Sequence, residues 1–252
     1  MRFDSDLGPV TPALRARLAP GGILRAGINL SNFLLVSARS EDGGPAGVSP
    51  DMARAIADHL DIPVRYVPYA SPALLADAAT RDEWDIGLIG AEPQRAETIA
   101  FTPAYAEIEA TYLVPAGSRL TDIAEVDAPG VRIAVTAKTA YGLWLDRNIR
   151  RAELVRTGTM DETLADFRDR KLEALAGLRA RLSSDLVGLP GARILDGRFM
   201  TVQQAIGVPR SGDGSEASVA WLTRFVERAK SSGFVAELIH AHGVHDLNVA
   251  ES

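Results

Sequence analysis

The chain has 252 residues, 46% hydrophobic and 24% charged, which suits two compact lobes or one large domain of an ordinary globular protein. Its net charge of −6 provides no basic patch for phosphates and argues against nucleic acid, and no apolar run approaches bilayer-spanning length. With no cysteine, thiol nucleophiles, disulfides and thiolate metal sites are excluded.

Residues 1–10 lack the basic start and long apolar run of a secretory leader, so either a leader has been removed or the protein stays in the cytoplasm. Thr11-Pro12 opens a short capped helix to about residue 18. Residues 23–28 read as a strand, Ser49-Pro50 as the cap of a helix over 51–60, and 63–67 as the next strand. Ser71-Pro72 opens a helix to about residue 80, and 84–89 is a third strand. This βαβαβ order predicts a parallel sheet covered by helices, with binding residues beyond the C-terminal strand ends. Residues 29–33 and 90–95 fall there.

A long β-prone run over 107–114 precedes a second α/β unit. Its strands are expected at 131–136, 152–156, 174–178 and 192–195, and its helices at 139–148 and 159–170. The second of these helices aligns Met160, Leu164 and Phe167 on one face. Residues 202–208 are extended again, and helical patterns at 215–230 and 234–240 close the chain. Two α/β units joined by two extended crossings predict two lobes around a cleft.

The stretch from Asp85 to Arg95 is the most informative. Pro93 suits the first position of a short helix after the apolar run ends at Gly90, which puts Arg95 in a first turn beside free backbone N–H groups. A guanidinium there can hold a small carboxylate; the plainer reading is a surface arginine.

The order and spacing of several segments resemble the family 3 extracellular solute-binding proteins, which serve amino-acid ABC importers. The segments are Leu24-Arg-Ala-Gly-Ile-Asn29, Gly47 through Ala57, Trp84-Asp-Ile-Gly87, Pro93-Gln-Arg95, Phe101-Thr-Pro-Ala-Tyr105, Ile133 through Thr139, and Gln204-Ala-Ile-Gly-Val-Pro209. The likeness covers roughly residues 20–245. It implies a type II periplasmic binding protein: two Rossmann-like α/β lobes joined by two crossing hinge strands near 106–113 and 199–207. Residues 1–107 with 206–252 would form lobe one and 108–205 lobe two. It also implies a monomer, at most peripheral to the membrane, that closes on a small solute in the periplasm and meets an ABC permease, with no metal or cofactor.

By this resemblance, Arg95 matches the arginine that grips the ligand's carboxylate. Thr139, followed by Ala140, matches a hydroxyl residue at a helix start in lobe two; plain capping also explains it. Several positions depart from the family. Gly90 stands where a Thr or Ser is usual, Asn32 where an aromatic stacks (with Phe33 next to it), and Lys138 where a Gly is usual. The Asp that pairs with the ligand's ammonium is replaced by Leu178, five residues after Glu173. Arg95 and Lys138 therefore favour a carboxylate or sulfonate lacking an amino group, with Glu92 as a replacement partner for a cation or simply a helix-start residue.

Gln204 is expected to face the cleft in preference to Gln203, by strand alternation. Tyr105 and Tyr141 are pocket walls or core packing, and Trp84, Trp144 and Trp221 are read as core. His240, His242 and His245 are read as a solvated helix end. The leading function is a non-catalytic binding protein. The alternatives are a cytoplasmic binding or sensing protein, and an enzyme like the family's dehydratases acting on cyclohexadienyl carboxylates, with Lys138, Glu92 and Glu173 as acid–base candidates.

Overall fold

The computed structural model describes residues 7–210 and 215–251. Residues 1–6, most of the segment read as unlike a secretory leader, lie outside the described residues. Backbone contacts divide the chain into two units, residues 1–107 with 203–252 and residues 108–202.

The first unit opens with α1 (Pro12–Leu18), where the Thr11 hydroxyl accepts the Leu14 N–H. There follow β1 (Leu24–Asn29), a hairpin of β2 (Ala38–Arg39) and β3 (Pro45–Ala46), α2 (Val48–Leu60), β4 (Val64–Tyr69), α3 (Pro72–Asp77), β5 (Ile86–Gly90) and β6 (Ile99–Phe101). β4 and β5 flank β1 in parallel register. All five residues of β5 are buried, the pattern of a strand covered on both faces. Trp84 packs there with Leu75, Ala78, Ala79, Ile89 and Ile99.

The start of α2 differs from the sequence expectation. Gly47, at φ +147°, is the N-cap, and Ser49 lies inside the first turn. A Cβ on Gly47 would fall 2.4 Å from the Leu35 carbonyl oxygen, so only glycine lets the chain enter the helix this early. The Ser49 hydroxyl is instead hydrogen-bonded to that of Tyr105 at 2.8 Å.

The chain leaves along β7 (Ala106–Val114) into the second unit, built from β8 (Arg132–Thr136), α4 (Ala140–Asn148), β9 (Glu153–Thr157), α5 (Met160–Asp169), β10 (Ala174–Leu178), α6 (Arg179–Asp185) and β11 (Arg193–Ile194). β9, β8 and β10 run parallel, while β7 pairs antiparallel with β10 and with β11. Leu113, Ala134, Phe167, Leu175 and Leu182 are part of its core. Thr159 and Glu162 form a capping box on α5. Of the apolar face expected on that helix, Phe167 is buried while Met160 and Leu164 are half-buried, and Thr163 takes the remaining inward place. α6 is an addition to the expected elements: Leu178 stands at its N-cap without a side-chain bond, so no capping residue marks it.

β12 (Met200–Pro209) brings the chain back, antiparallel to β5 and β6. α7 (Ser215–Ser231), α8 (Phe234–Ala241) and β13 (Asn248–Val249) complete the first unit, with β13 pairing Glu107 and Ala106 at the start of β7. Trp84 and Trp221 are core residues, whereas Trp144 is half-buried, 5.3 Å from the Phe199 ring. His240 and His245 are exposed, but His242 is not a solvated end: its Nε2 lies 2.7 Å from Asp51 Oδ2, tying α8 to the first turn of α2.

Candidate functional site

In the first unit β1 and β5 lie side by side and run in the same direction, so the loops leaving their C-terminal ends share one edge of the sheet. Asn32 and Phe33 follow β1, and Glu92 and Arg95 follow β5. Gln204 on β12 stands directly opposite Gly90 in the antiparallel register.

Arg95 is not a surface arginine; it is 5% exposed, and its Nη1 donates to the Gly90 carbonyl at 2.7 Å. The turn that carries it is shorter than a helix, a single 3₁₀ turn over Arg95–Glu97. The Ala96 N–H already donates to the Glu92 carbonyl at 2.9 Å, so it is not one of the free N–H groups expected beside Arg95. Burial pushes the Arg95 guanidinium down to about 10, while the negative charge of Glu92 pulls it back up. Glu92 is itself 5% exposed.

Gln204 is 4% exposed, and its carboxamide makes no hydrogen bond among the described residues; its backbone carbonyl accepts the Tyr105 N–H at 2.8 Å. Gln203 is half-buried and donates to Glu107 at 3.1 Å. Asn32 is buried, with Oδ1 accepting the Leu34 N–H at 3.2 Å, while Phe33 is exposed. Tyr105 is fully buried, with its hydroxyl hydrogen-bonded to that of Ser49 at 2.8 Å, and burial raises its pKa.

In the second unit Thr139 caps α4: its hydroxyl accepts the Gly142 N–H at 3.0 Å and donates to the Thr136 carbonyl at 2.8 Å. Lys138 is exposed at φ +57°, a left-handed conformation that normally favours glycine. Ala140 and Tyr141 are buried behind it, and burial raises the Tyr141 hydroxyl. Leu178, 8% exposed, ends β10.

Glu173 is not available for acid–base work. It accepts both the backbone N–H and the side chain of Arg132, which holds its carboxyl below the usual range. The sequence reading passed over Arg179, the residue after Leu178. Its Nε lies 2.8 Å from Glu109, which also takes Arg198 at 3.0 Å. The signal available for it was a charged residue directly after a buried strand. Among the described residues no group of three or more His, Asp or Glu is placed to hold a metal ion, and no helix is long and apolar enough to cross a membrane.

The model of the family described as bacterial extracellular solute-binding proteins, family 3, matches residues 24–244. A cyclohexadienyl dehydratase from Pseudomonas aeruginosa is 27% identical over 143 residues, 55% of this chain and 53% of that enzyme; the chain spans about half the length of this curated relative. Among solved structures, an ancestral amino acid-binding protein described as a precursor of cyclohexadienyl dehydratase has a TM-score of 0.71 at 16% identity, covering 91% of this chain and 98% of that one. An amino acid ABC transporter substrate-binding protein from Streptococcus pneumoniae, bound to L-arginine, gives 0.71 at 18% identity over 95% and 100% of the two chains. A binding component of an ABC transporter from Wolinella succinogenes, complexed with lysine, gives 0.71 at 17% over 88% and 95%. The structural likenesses carry the type II periplasmic binding protein fold, and the family match extends over most of the sequence. The chain belongs to the bacterial extracellular solute-binding proteins, family 3.

Proposed function

We propose that this chain binds a small carboxylate-bearing solute of the amino-acid type on the Arg95 guanidinium and presents it to an ABC importer outside the cytoplasm. The observation that carries the reading is the Arg95 guanidinium at 5% exposure in the loop after β5, at the C-terminal edge of a parallel sheet, with Gln204 of β12 opposite Gly90 at the start of that loop. A forked guanidinium–carboxylate pair is shorter and stronger than a neutral hydrogen bond, and more so where water is excluded. Family membership supports solute binding, and the arginine and lysine bound by the two solved relatives both carry such a carboxylate.

The test is a thermal-shift screen against L-amino acids, keto and hydroxy acids and sulfonates, followed by calorimetry on Arg95→Ala. A solute at 100 times its dissociation constant stabilises the fold by about 2.7 kcal/mol. Removing one partner of a buried charge pair costs about 2–5 kcal/mol, so Arg95→Ala is expected to bind at least about 30-fold more weakly. Retention of the parent's affinity by Arg95→Ala would overturn the reading.

The Pseudomonas aeruginosa relative favours a second reading, a lyase on the same scaffold. With Glu173 engaged by Arg132, Glu92 and Lys138 are the remaining acid–base candidates. Turnover of cyclohexadienyl carboxylates by the purified chain, abolished in Lys138→Ala or Glu92→Gln, would move the reading to catalysis.

A further inference from the structure

We propose that the second unit carries a site of its own for an aliphatic carboxylate, in a cavity of about 520 Å³ at the sheet edge opposite Thr139, with the Lys171 ammonium pairing the carboxylate. The proposal is independent of the reading of Arg95.

Strand direction sets this cavity apart from the C-terminal strand edge. β8 and β10 run parallel, and their C-terminal ends lead to Thr139 and Leu178. Lys171 and Leu172 come just before β10. β7 is antiparallel to β10, so Pro115 and Ala116 emerge from its end beside the start of β10. The cavity takes in these four residues, the end of α5, and residues 188–190 and 192 before β11.

The lining suits an apolar body with one negative head. Phe167 and Leu172, 3% and 1% exposed, belong to the core and close the cavity from within. Apart from Arg168 and Lys171, the lining is Pro, Ala, Gly, Leu and Phe. The volume falls within the range of small-molecule sites, about 300–1,000 Å³. Phe167 is the single ring in the lining, so nothing sandwiches a planar solute and the walls suit a flexible chain.

Charge at the rim supplies the polarity. Arg168 is paired with Asp169 at 2.8 Å and Arg170 with Asp166 at 2.9 Å. The exposed Lys171 has no carboxylate partner among the described residues, so segment 166–171 keeps one uncompensated positive charge beside the cavity. Lys171 is also fixed in place. At φ +51° it holds the left-handed position after a helix that glycine usually takes; its N–H donates to the Arg168 carbonyl at 3.3 Å, and its carbonyl accepts Arg132 Nη2 at 2.7 Å.

The experiment titrates hexanoate, octanoate, decanoate, 2-naphthoate and 1-octanol into the full chain by calorimetry. Octanoate and 1-octanol are then repeated on Lys171→Gln, Ala192→Leu and Arg95→Ala. Each added methylene that is buried should tighten binding about fourfold. Lys171→Gln should weaken octanoate about threefold and leave 1-octanol unchanged, since an exposed ion pair contributes little. Ala192→Leu fills the cavity and should bind neither, whereas Arg95→Ala should bind both like the parent. If Ala192→Leu fails to fold, Lys171→Gln carries the test, because its side chain is exposed. A parent that binds no octanoate or decanoate overturns the proposal, as does a Lys171→Gln protein that binds octanoate like the parent. Tighter binding of 2-naphthoate than of decanoate overturns the aliphatic assignment, and loss of octanoate in Arg95→Ala would move the acid to Arg95. Val187, 90% exposed, stands one residue before the lining. A dimer in solution that Val187→Ser dissociates and octanoate leaves intact would make this face a contact between copies and overturn the proposal.

Discussion

At the scale of single residues, side chains within a few positions of each other do different work. Thr139 uses its hydroxyl twice within the α4 cap, and that cap is possible because Gly142 has no side chain. A Cβ on Gly142 would sit 2.6 Å from the Thr136 carbonyl oxygen and 2.9 Å from Thr139 Oγ1. Gly142→Ala is therefore expected to destabilise the protein by about 1–3 kcal/mol through overpacking and loss of the cap, as read by urea denaturation. Lys138, one position before the cap, holds φ +57° with a full side chain, a strained conformation of the sort that persists where the surroundings over-determine it. Arg95 was legible as a candidate from Pro93 and its spacing after the apolar run. Its burial was not, because exposure depends on what packs over a residue and not on its own neighbours in the chain.

Among the elements, those with local signals were readable and those without were not. The buried strands appear as apolar runs, and α1, α3, α4 and α5 each begin at a Thr or Ser whose oxygen accepts a backbone N–H. α2 starts earlier than its Ser-Pro suggests, because the conformation of Gly47 decides the entry. α6 carries no cap and follows a strand without a turn residue, so nothing local announced it. The second unit also has an element-scale pH dependence. Glu173, hydrogen-bonded by Arg132, and Glu109, hydrogen-bonded by Arg179, both have carboxyls held below their ordinary values. A depressed carboxyl contributes stability above its unfolded value, and that contribution is lost as pH falls through the folded value. The melting temperature is therefore expected to drop below about pH 4. Glu173→Gln and Glu109→Gln should each flatten that drop, and partial exposure keeps the effect of either pair modest.

For the whole molecule, the decisive feature is that the first unit is assembled from two distant stretches of chain. Residues 203–252 complete it: β12 pairs with β5, Arg224 reaches the Leu7 carbonyl, His242 meets Asp51, and Trp221, Phe225 and Phe234 are buried. A chain ending at residue 209 should lose the cooperative unfolding transition of the first unit, read by circular dichroism during thermal melting, because much of its apolar interior would have no cover.

The residues alone determined the α/β class, the alternation of strands and helices and the family likeness, since apolar runs, caps and motif spacing are properties of adjacent positions. The tertiary structure alone decided that Arg95 and Glu92 are buried together and that the Gln204 carboxamide is left without a partner among the described residues. It also decided that Ser49 and Asp51 hold Tyr105 and His242 in place of capping a helix and facing water. Each of these outcomes depends on segments far apart in sequence, where the local pattern carries no information about which groups will share a desolvated space.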